Sequence, residues 1–129
     1  IHRRLVGSEM CIRDRIKLLD QLYEREPIPM SDINTDRMNR ELFLAYYLDK
    51  NYKKCEETFN KINECTFREW LINIDIKIKQ NKDYAQDNWF VSGIERFNNL
   101  DKEKEISLFH LNNKFISNEL KNLSQKVFA

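Results

Sequence analysis

An all-α fold, antiparallel helical hairpins ending in a long C-terminal helix, is what this sequence predicts. Three observations carry it. Gly and Pro are almost absent, with two of each in 129 residues, whereas strand-rich folds need the tight turns that these residues favour. The apolar residues recur at spacings of three and four, the period of a helix. The breaks between apolar stripes are short and polar, as in Lys50-Asn51 and Asn81-Lys82-Asp83.

Ile16, Leu18, Leu19, Leu22 and Tyr23 predict a short first helix, stopped by Pro27-Ile28-Pro29. Residues 31–35 read as a loop with several N-cap candidates. A second helix is expected over about 36–50, with Met38, Leu42, Ala45, Tyr46 and Asp49 on one stripe. A third, to about residue 64, carries Cys55, Phe59 and Ile62. Thr66-Phe67-Arg68-Glu69 is a capping box. The helix it opens shows Phe67, Leu71, Ile74 and Ile78 on one face, widened by Trp70, Ile72 and Ile76, which marks it as central.

A fifth helix carries Tyr84, Val91, Ile94 and Phe97, with Trp89 and Phe90 nearby. Gly93 inside it costs about 1 kcal/mol relative to Ala; either it permits a close helix approach or it has no role. Asp101 is the expected N-cap of a last helix reaching Val127, near 40 Å at about 1.5 Å per residue. That helix fits a heptad with Ile106, Asn113, Leu120 and Val127 at a, and Phe109, Ile116 and Leu123 at d. Leu108, Leu111 and Phe115 add a second stripe to its first half.

Two resemblances bear on organisation. Leu42, Tyr46, Tyr52, Cys55, Phe59 and Ile62 are spaced as in a tetratricopeptide repeat, and Lys50-Asn51-Tyr52-Lys53-Lys54-Cys55 is similar to that family's turn and second-helix entry. The pattern recurs 32 residues later, at Ile74, Ile78, Tyr84, Val91 and Ile94, close to the period of such arrays. Residues 36–98 carry the resemblance, which implies antiparallel helix pairs and a partner-binding surface. Phe43 and Asp75 stand where the family usually has a small residue. Separately, Val6-Gly7-Ser8-Glu9-Met10-Cys11-Ile12-Arg13-Asp14-Arg15 resembles translated sequencing-adapter read-through. Residues 1–15 are therefore expected to be non-native. Residues 16–129 are expected to form a single helical domain, a fragment if the true start lies upstream.

Charge and composition narrow the function. The chain has 22 basic and 21 acidic residues, a formal charge of +1. Setting aside residues 1–15, with four arginines and two carboxylates, leaves 18 and 19, or −1. Such a balance gives no electrostatic footprint for nucleic acid and no polybasic block for an anionic membrane. No apolar run approaches the roughly 20 residues that span a bilayer. Outside residues 1–15 there are two cysteines, Cys55 and Cys65. On one helix they would lie about 15 Å apart, beyond the roughly 7 Å reach of a disulfide. A reducing, cytoplasmic compartment is expected.

No residue pattern announces a reaction. His110 stands on the last helix without a nucleophile and orienting group around it. Cys55 reads as a small core residue, and Cys65 lies near a helix end, which disfavours thiolate. Two cysteines and one histidine scattered along the chain do not form a zinc spacing. Phosphate-cradling glycine loops are absent, so no cofactor is expected. Trp70, Tyr84, Trp89, Phe90 and Phe97 form either a stacking surface or a core. Trp89, flanked by Asp87 and Asn88, is the best candidate for exposure. The expected function is a non-enzymatic interaction or scaffold module that binds a protein or peptide partner in a groove lined by Tyr46, Tyr47 and Trp70. Asn113 at an a position would set register against a partner helix, including that of a second copy, unless the heptad is fortuitous. The alternative is a helical accessory region of a larger enzyme whose catalytic part lies upstream.

Overall fold

The computed structural model describes residues 14, 16–18, 32–109, 111 and 113–129. Most of the expected first helix, His110 and residues 1–13 lie outside them. The fold is all-α: α1 (Asp32–Leu48), α2 (Tyr52–Phe59), α3 (Phe67–Lys79), α4 (Asn88–Phe97), α5 (Lys102–Ser107) and α6 (Lys114–Val127), with no strand among the described residues. None of the helices among the described residues is long and apolar enough to cross a membrane. The chain divides into two compact units, Ile1–Cys65 and Thr66–Ala129.

In the first unit α1 and α2 form a hairpin. Its turn follows from three backbone bonds. Asp49 N–H donates to Ala45 O, Lys50 N–H to Tyr47 O and Asn51 N–H to Tyr46 O. The last two are the crossed bonds of a Schellman cap, in which one residue must turn left-handed. Lys50 takes that position with φ 61°. Asn51 then serves twice, closing α1 with its N–H and capping α2 by accepting from Lys54 N–H at 3.3 Å. Phe43 packs its ring on Phe59 at 5.7 Å, and Cys55 fills the remaining space, fully buried, with its thiol against Phe43 O at 3.6 Å.

The open end of the hairpin is held by Asp36. Its two carboxylate oxygens accept from the consecutive N–H groups of Asn63 and Glu64, each at 2.9 Å. This corrects the third helix, which ends at Phe59 and leaves Ile62 outside. Lys61 and Ile62 turn their N–H groups three residues back, to Thr58 O and Phe59 O, and the two amides that follow go to Asp36. Burial on its own would raise the Asp36 pKa. The two backbone N–H groups and the Arg40 charge outweigh it and hold the group below an ordinary aspartate's 3.8.

In the second unit the capping box is present as expected. Glu69 accepts from Thr66 N–H at 2.9 Å and from the Thr66 hydroxyl at 2.8 Å. Glu69 is fully buried, and Arg68 Nε donates to it at 2.8 Å. A charge so far from water needs such partners. Helix α3 is buried at Phe67 and from Glu69 to Ile76, which makes it central. It ends in a second Schellman cap, Asn81 N–H to Ile78 O and Lys82 N–H to Lys77 O, with Asn81 left-handed at φ 55°.

The expected last helix is divided. Asp101 caps α5 by accepting from Lys104 N–H. At its end Leu108 and Phe109 donate three residues back, to Glu105 O and Ile106 O. Asn113 restarts the chain as the N-cap of α6, accepting from Phe115 N–H at 3.0 Å and Ile116 N–H at 3.2 Å. An asparagine that captures orphan amides starts a helix and does not continue one. The C-terminal helix is therefore the 14 residues of α6.

Asp36 ties acid stability to the first unit. With its folded pKa lowered, its contribution is complete above about pH 3.8 and is lost as pH falls through the folded value. Asp36→Asn keeps one acceptor and turns an amide N–H toward a backbone N–H. It should cost about 1–3 kcal/mol at pH 7, with the gap to wild type closing as the pH is lowered toward 2. Thermal melts across that range check this, and a gap independent of pH would refute it.

Candidate functional site

The aromatic side chains of the second unit form a cluster around Trp70. Trp70 is fully buried. Phe90 lies nearly parallel to it at 5.7 Å, and Phe97 and Phe128 pack at a tilt at 5.5 and 5.6 Å. Phe67, one turn earlier on α3, reaches Trp70, Phe97, Phe109 and Phe128 at 5.5–6.5 Å. These offset and tilted geometries are those that aromatic quadrupoles favour. Lys102 closes the edge: its ammonium stands 4.2 Å from the Phe128 ring and donates to Asn98 O at 2.9 Å.

Gly93 is what allows α4 to approach. A Cβ built there would overlap the Trp70 indole. The indole Nε1–H also donates to Trp89 O at 3.1 Å. That carbonyl lies one helical turn before position 93, where a larger side chain would cover it. Of the two sequence readings of Gly93, close approach is the one the structure bears out. The helix loses about 1 kcal/mol of propensity. In return a buried indole N–H gains an acceptor that it would otherwise lack.

On the outer side of Trp70 the cluster reaches the surface. Tyr84, Trp89 and Phe90 are each half-buried. Phe90 receives Tyr84 edge-on at 5.0 Å and Trp89 edge-on at 6.1 Å. Trp89 Nε1–H donates to the Asp87 carboxylate at 3.1 Å. Val91 follows, 47% exposed. Tyr84 precedes α4, not on it as expected, because Asp87 is the N-cap and the helix starts at Asn88.

The other candidate residues lie elsewhere. Tyr46 and Tyr47 are buried, at 7% and 4% exposure, as is Trp70. All three are core side chains, and a docking groove lined by them is corrected on that ground. Asn113 is a helix cap, not a seam residue, so the heptad is fortuitous there. The seam residues Ile106, Phe109, Leu120 and Leu123 are buried. Leu108 and Phe115 of the second stripe are 53% and 76% exposed, because the helix that would have aligned them is broken between them. Among the described residues no group of three or more His, Cys, Asp and Glu is placed to hold a metal ion; His110 lies outside them. Sequence reasoning missed Asp36 and Phe128. The first could have been found as an acid near a helix start facing a polar stretch one hairpin away. The second has no periodic signal.

No protein-family model, curated protein or solved structure matches this chain.

Two outcomes follow from this geometry. Gly93→Ala should lower stability by about 1–3 kcal/mol through overpacking, although alanine favours the helix. In a Trp70→Ala background the same change should be neutral or stabilising; equal effects in both backgrounds would show that the two residues do not meet. Cys55, pushed up to about 12 first by burial and then by Glu56, should resist alkylation in the native state while half-buried Cys65 reacts. Mass-spectrometric mapping of alkylated peptides reads this directly, and early modification of Cys55 would contradict the packing.

Proposed function

We propose that this chain is a non-enzymatic helical interaction module that binds a protein or peptide through the aromatic rim of Tyr84, Trp89 and Phe90 with the adjoining Val91. One observation carries the reading: two partly exposed rings, Tyr84 and Trp89, both packed edge-on against partly exposed Phe90, which is braced from behind by fully buried Trp70. Rings already ordered by such contacts lose little side-chain entropy on binding, and aromatic anchors dominate the energetics of interfaces. The partner supplies an apolar peptide or helix face. The α1–α2 hairpin, with its turn at Lys50-Asn51, supports a kinship with tetratricopeptide-like hairpins. The likeness rests on that hairpin alone, since Ile78 and Val91, the later counterparts of Tyr46 and Phe59, are 42% and 47% exposed. Cys55 and Cys65, both reduced, fit a cytoplasmic location.

A second reading, an accessory region of a larger enzyme, is favoured by exposed Leu108 and Phe115, which a further domain would cover. The two are separated by experiment. Peptides selected from a random phage-displayed library on the intact chain should bind Val91→Asp and Trp89→Ala at least about tenfold more weakly than wild type. Val91→Asp should leave the helical circular dichroism and melting temperature unchanged, since the site is exposed and near a helix start. Selected peptides that bind both variants as well as wild type, or a library that yields none, would overturn the rim as the binding surface.

A further inference from the structure

We draw no further inference here: the strongest candidate, the exposed Leu108 and Phe115 side chains at the break between α5 and α6, is an unpartnered apolar surface, and nothing in the structure shows what covers it.

Discussion

The contact between the Trp70 indole and the bare backbone at Gly93 is the constraint on which the second unit depends. Burying a tryptophan removes on the order of 200 Å² from water, worth about 5 kcal/mol. That gain requires α4 to lie against the ring face, and only a residue without a Cβ lets it. Once α4 is so placed, Phe90 and Phe97 pack against the indole at 5.7 and 5.5 Å. The aromatic rim is then a consequence: Trp89 and Tyr84 stand against Phe90 because Phe90 is fixed.

The first unit solves a different problem with polar groups. A hairpin with an eight-residue second helix gains little from helix cooperativity alone. Its two ends are closed by backbone capture, a Schellman cap at Lys50 and the Asp36 carboxylate across Asn63 and Glu64. Both devices place a charge or a left-handed residue where glycine or water would be the usual solution. Glycine is not used at either helix end; the one glycine among the described residues serves the indole at position 93.

Much of the fold was legible because it rests on local rules. The capping box at Thr66–Glu69, the central place of α3, the N-cap at Asp101 and the breaks at Lys50-Asn51 and Asn81-Lys82 all follow from periodicity and capping chemistry within a few residues. The errors arose where a distant group decided. The stretch just past α2 is held by Asp36, 27 residues away from Asn63, and no short window of sequence contains both. Asn113 was ambiguous by nature, since the same side chain can hold a register or cap a helix, and the heptad pattern ran across it. Periodicity places Tyr46, Tyr47 and Trp70 on apolar faces, but it shows which residues share a face and not whether that face meets solvent. The rim was half legible: Trp89 was singled out from its polar neighbours, but its coupling to Tyr84 through Phe90 needs the third dimension.

The measurement that most directly tests the central place of Trp70 is the fluorescence of the Trp89→Phe variant, in which Trp70 is the only indole left, since the chain has two tryptophans. The structure calls for blue-shifted emission protected from acrylamide, lost in the same thermal transition as the helical circular dichroism. Red-shifted emission freely quenched in the native state would place Trp70 in water and contradict the packing on which this account is built.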